Sequence, residues 1–199
     1  MAFVHQNRGQ FTGEVMSGLF PENQARAQAA QLAFDRSLSA AVDRMGAQPV
    51  PGAPEALASL GQAGLRVCLI TDLSARLLDL VLGAVGWRGR FDLTLSSGDV
   101  ARGCPAPDQM LAAMLRLGVG DVRELVVADA TDAAVLAGRR AGAVTAVGVL
   151  TGPHSGDRLS RAGATHVIGS IAALPELLGG GAGGDARPPG EAGIDRAAG

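Results

Sequence analysis

The stretch Glu124-Leu-Val-Val-Ala-Asp-Ala-Thr-Asp132, running on to Ala137-Gly138-Arg139-Arg140-Ala141-Gly142, decides the fold. Its apolar run predicts a buried strand, the Asp-Ala-Thr-Asp segment a polar crossing, and the Ala-rich remainder a helix over 132–141. A strand that ends in polar residues and feeds a helix is the repeating unit of open α/β sheets. Such sheets place ligands at the carboxyl ends of their strands.

The same alternation extends in both directions. Residues 66–71 read as a central strand, and 74–85 as a helix with Ser74 as N-cap and Gly86 as its stop. Residues 91–95 read as a short strand and 108–117 as a helix after a Pro-Ala-Pro turn. Strands are expected at 125–128, 145–150 and 166–168, with 157–162 helical between the last two and a closing helix at 171–178. Toward the N-terminus, 21–45 reads as one long helix with Ala, Leu and Val on one face, and 51–60 as another. Short strands alternating with helices predict βαβ units and a parallel sheet.

Composition narrows the chemistry. Of the 199 residues 47% are hydrophobic and 18% charged, which suits one globular domain with a sizeable core. The net charge of −2, with no basic stripe interleaved with aromatics, argues against nucleic acid as a partner. All 17 basic residues are Arg and Tyr is absent, so Schiff-base chemistry through Lys and acid catalysis through Tyr are excluded. Cys68 and Cys104 make neither a disulfide framework nor a zinc site, and Cys68 reads as core. No run is apolar enough to span a bilayer, and residues 1–10 lack a signal-peptide core, so the expectation is a cytoplasmic protein with no membrane partner. Residues 179–199 are Gly, Ala, Pro and charge, and read as a disordered tail.

Several motifs in order carry a family resemblance. Pro51-Gly-Ala-Pro-Glu-Ala-Leu57 is like a turn leading from a helical cap into a core. Leu69-Ile-Thr71, with its following helix ending Gly86-Trp87, is like a second motif, and Ser96-Ser-Gly-Asp-Val-Ala-Arg-Gly-Cys-Pro-Ala-Pro107 like a third. Residues 125–142 are like a fourth, and Gly148-Val-Leu-Thr-Gly-Pro-His154 like the turn after the next strand. Together, over residues 50–178, they resemble the haloacid-dehalogenase superfamily, closest to its phosphonatase-like branch. The resemblance implies an α/β, Rossmann-like core with a parallel sheet, helices on both faces and a reduced helical cap. It divides the chain into a first core strand with a degenerate first motif (1–11), a truncated cap (12–50), the core (51–178) and the tail.

In that family an Asp nucleophile attacks, a Thr or Ser and a Lys or Arg steady the phosphoryl oxygens, and acids hold magnesium. Carried onto this chain, the nucleophile position falls on Gln6, whose carboxamide cannot form an acyl-phosphate. Thr71 keeps the second-motif hydroxyl as a candidate anion ligand. Cys104 stands at the third-motif cation, and reads as an inert, half-buried thiol. Arg102, two positions earlier, is the cation that could reach in. In the fourth motif a gapless alignment puts Ala130 and Ala134 at the acidic positions. A one-residue insertion restores Asp129 as the first acid and puts Ala133 at the second. Asp132 reads as the cap of the following helix and only secondarily as an acid.

The resemblance therefore implies a lost magnesium site and no cofactor. It also implies a pseudoenzyme acting as a non-hydrolytic binding or partner subunit, for instance in a biosynthetic complex. A protein partner or a second copy would dock on helix 21–45, left exposed by the trimmed cap. Another expectation is a repurposed, metal-independent enzyme. It would hold a small anionic metabolite through Thr71, Arg102 and the helix start near Thr131, with Asp129 or Asp132 as base. An active magnesium-dependent phosphatase ranks last.

Overall fold

The computed structural model describes residues 9–179. Its elements in chain order are α1 (Thr12–Leu19), α2 (Gln24–Met45), α3 (Ala53–Gln62), β1 (Cys68–Ile70), α4 (Ala75–Ala84) and β2 (Leu93–Leu95). There follow α5 (Asp108–Leu117), β3 (Val126–Asp129), α6 (Asp132–Ala141), β4 (Thr145–Val149), α7 (Gly156–Arg161), β5 (His166–Ile168) and α8 (Leu174–Gly179). Short 3₁₀ turns at Val122–Glu124 and Ile171–Ala173 lead into β3 and α8.

The strand read from the deciding stretch organises the core. β3 pairs in parallel with β4, and β4 with β5. Successive side chains on a strand face opposite ways, and β3 uses both faces. Val126 and Ala128 pack with Leu60 of α3, Val147 and Leu174 of α8. Val127 packs on the other side with Met110 of α5 and Ala133, Ala137 and Ala141 of α6. The sheet is thus covered by helices on both faces, which is why its strands are apolar throughout. Leu159 of α7 is fully buried against Val135 and Ala146. β1 and β2 form a second parallel pair, and Ile70 at the end of β1 packs against the Val127 cluster. Both sheet pieces therefore share one core.

The helices at Asp108–Leu117 and Asp132–Ala141 and the strand at His166–Ile168 have the bounds expected from sequence; β3 is shifted by one residue, and β1, β2 and β4 are shorter by one to three. The long helix begins at Gln24 rather than at Pro21. The Arg26 N–H donates to the Asn23 side chain at 2.9 Å, so Asn23 is the cap and the preceding residues form a turn. α1 was not expected, since the sequence suggested a single helix between 12 and 50. A first core strand was expected over 1–11. Residues 9–11 hold a turn and a bend instead, and 1–8 lie outside the described residues, as do 180–199 of the expected tail. No described helix is long and apolar enough to cross a membrane.

α6 lies tight on β3 because its contact residue has no side chain. A Cβ added at Gly138 would sit 2.8 Å from Val127 Cγ2. Gly138→Val is expected to destabilise the fold by about 1–3 kcal/mol through overpacking. Adding Val127→Ala should recover part of that loss, as read by chemical denaturation of the single and double variants.

Candidate functional site

Residues after β1, at the end of β3 and in the loop before α5 come near one another. Thr71 follows β1; its N–H donates to the Leu95 carbonyl at 3.0 Å, continuing the ladder to β2. Its hydroxyl oxygen accepts from the Leu73 N–H at 3.2 Å, which turns the chain away from the sheet. Asp72 comes next and is held at this turn, partly buried.

Asp129 ends β3. Its Oδ1 accepts from both the N–H and the hydroxyl of Thr131, each at 2.7 Å. The same hydroxyl oxygen accepts from the Ala134 N–H at 3.3 Å, so Thr131 caps α6 while it carries the carboxylate. The expectation that Asp132 caps this helix is corrected here. Both residue types cap well, but the helix starts at Asp132, one residue earlier than that reading needs. Asp132 instead turns away, pairing with Arg158 Nε at 2.5 Å and lying 3.1 Å from Nδ1 of His154.

Cys104 lies in the loop before α5. It is buried rather than half-buried, packed with Met110, Val127 and Ala134. Gln109, itself 2% exposed, links it to β1: its Nε2 donates to the Thr71 carbonyl at 3.1 Å, and its Oε1 lies 3.9 Å from the Cys104 sulfur. Arg140 of α6 donates to the Pro105 carbonyl at 2.9 Å, and Glu14 of α1 accepts from the Gly103 N–H at 3.4 Å, fastening the loop from both sides. Phe11 packs so closely on Gly103 that a Cβ there would lie 2.5 Å from its ring.

The electrostatics follow from burial. Desolvation pushes the Asp129 carboxyl above its ordinary value of 3.8, against the opposing pull of the Thr131 bonds and of His154. Asp72 is raised for the same first reason, with Asp129 adding repulsion and the Thr71 side chain opposing. Burial, then Asp129, then Asp72, push the Cys104 thiol up to about 12. Two acids and a neutral thiol therefore face one another where the family resemblance expects a cation.

Of the residues singled out from sequence, Thr71, Cys104, Asp129 and Thr131 are brought together, with Ala134 in the same packed cluster as Cys104. Ala130 sits beneath the loop after β4. Arg102 does not reach the cleft. Its guanidinium forms a two-point pair with Asp108 at 3.0 and 2.9 Å, and its side chain is 69% exposed. Gln6 lies outside the described residues. The described donors do not fit a magnesium ion. Asp129 already takes both Thr131 bonds, Ala130, Ala133 and Ala134 have no side-chain oxygen, and no described cluster holds three metal-ligating side chains.

Sequence reasoning missed Asp72, Gln109, His154 and Arg158. The only local signal was for Asp72, as the polar neighbour of Thr71. A carboxyl with a raised folded pKa binds its proton more tightly when folded, so stability is lost as pH climbs from the unfolded value through the folded one. Wild-type stability should therefore fall as pH rises above about 3.8 through this pair. Asp99, lowered to about 2 by Arg116 and Ser96, acts in the opposite sense at lower pH. Asp72→Asn should flatten the decline above 3.8, where Asp72 begins to ionise in the unfolded chain, and leave the lower limb unchanged, in denaturation curves taken across the acid range.

Comparisons with known proteins agree with this arrangement. The family model "Hydrolase: haloacid dehalogenase-like hydrolase" matches residues 7–142. Phosphonoacetaldehyde hydrolase of Bordetella pertussis is 33% identical over 154 residues, covering 66% of this chain and 56% of its own length. The chain thus spans little more than half of that relative. A hydrolase from Pseudomonas syringae superposes with TM-score 0.78 at 26% identity, over 89% of this chain and 82% of its own. A phosphonoacetaldehyde hydrolase-like protein from Oleispira antarctica superposes with TM-score 0.78 at 23% identity, over 90% and 78%, and speaks to the fold alone. The chain belongs to the haloacid-dehalogenase-like hydrolase family, on its phosphonatase-like side.

Proposed function

We propose that this protein is a non-hydrolytic member of its family, serving as a binding or partner subunit. The observation that carries the reading is Cys104. Phosphoryl transfer depends on positive charge set against the oxygens of the transferring group. A thiol held at about 12 is neutral at physiological pH, and Asp129 and Asp72 act on it in the same direction as burial. A small anionic metabolite would find the backbone amides near Thr131 and the Thr71 hydroxyl, but no guanidinium. A protein partner or second copy would use α2, where Leu32 and Met45 are 55% and 71% exposed.

An active hydrolase is the competing reading. It draws on the retained Thr71 and Asp129 and on the likeness to enzymes named for phosphonoacetaldehyde hydrolysis. Magnesium-dependent turnover of a generic phosphate ester and of phosphonoacetaldehyde separates the two. The expected result is no rate above buffer for the wild type. Turnover that Asp129→Ala abolishes would overturn the proposal. Cys104→Arg should tighten inorganic phosphate binding roughly tenfold or more, as expected for one charge-assisted hydrogen bond, measured by calorimetry.

A further inference from the structure

We propose that His154 is a positioning residue. From the loop after β4, its Nδ1 holds the first turn of α6, and with it the Asp129–Thr131 corner of the cleft. The first N–H groups of a helix have no partner within the helix and must find one elsewhere. Thr131 supplies one for Ala134. The Asp132 N–H donates to Nδ1 of His154 at 2.9 Å, a partner 22 residues further along the chain. Acceptance at Nδ1 assigns the ring its proton on Nε2, although the same Nδ1 lies 3.1 Å from Asp132 Oδ1.

The loop is built to stay there. The His154 side chain is only 3% exposed. Gly152 lies so close to the corner that a Cβ on it would come 2.2 Å from the Ala130 Cβ. Arg158 of α7 grips the Asp132 carboxylate at 2.5 Å, and Ser155 caps α7 by accepting from the Arg158 N–H at 3.4 Å. The charged groups facing the ring are Asp132 from α6, Asp129 from β3 and Arg158, through Asp132, from α7. If the first turn of α6 shifted, Thr131 would move with it, and the two bonds that fix Asp129 would be lost. His154 thus acts on the cleft through α6 rather than on any ligand.

The clamp belongs to the cleft on which the proposed function rests. Amide exchange reads it without turnover, so the two claims fail separately. His154→Asn keeps an acceptor close to the Nδ1 position, whereas His154→Gln moves the acceptor toward Nε2. Exchange of the Asp132 and Thr131 amides, followed by NMR, should stay within about threefold of wild type in His154→Asn and rise roughly tenfold or more in His154→Gln. Equal acceleration in both variants, or none in either, would overturn the clamp. If a variant fails to fold, the imidazole ¹⁵N spectrum of the wild type decides. An unprotonated Nδ1 in the neutral ring is expected, and a protonated one sinks the proposal.

Discussion

A carboxylate taken out of water at the end of β3 is the constraint around which this protein is arranged. Asp129 survives there because the Thr131 N–H and hydroxyl both point at one of its oxygens. That geometry requires α6 to begin where it does. The start of α6 in turn requires caps for its first N–H groups, supplied locally by Thr131 and from the loop after β4 by His154. The close seating of α6 on β3, through Gly138 against Val127, completes the circuit. One desolvated group thus ties the strand, the helix and a distant loop to a single register.

What the cleft lacks follows from where its arginines are committed. Arg102 pairs with Asp108, Arg116 with Asp99, and Arg158 with Asp132, while Arg140 is bound to the Pro105 carbonyl. For Arg102 and Arg116 the planar guanidinium makes two-point contacts. Among the described residues, Cys104, Asp72 and Asp129 are left to set the potential between β1 and β3, and all three have pKa values raised chiefly by burial. Such a site sets no guanidinium of the described residues against a phosphoryl oxygen, which is the physical basis for the proposal that the protein is non-hydrolytic.

Much of this was legible in the sequence because its signals are local. The run ending at Asp129, the caps and the αL glycine at 142 lie within one strand–helix unit, so β3 and α6 could be placed to within a residue. The approach of Thr71 and Cys104 to Asp129 followed from motif order. The rest depends on contacts that no local pattern encodes. His154 meets Asp132 across 22 residues and Gln109 reaches Thr71 across 38. α1 was missed because an eight-residue helix interrupted by Gly13 and Gly18 carries little periodicity of its own. The cap of α6 was misassigned because Thr131 and Asp132 are adjacent and chemically interchangeable in that role. Only the helix start distinguishes them.

The most direct test of the central claim is a ¹³C titration of the side-chain carboxyl carbons of Asp72 and Asp129 in the wild-type protein. With burial outweighing the Thr131 bonds and the pull of His154, both should titrate above the ordinary value of 3.8. Either one titrating at or below that value would mean that opposing charge and hydrogen bonds outweigh burial in the cleft, and the non-hydrolytic reading would lose its physical ground.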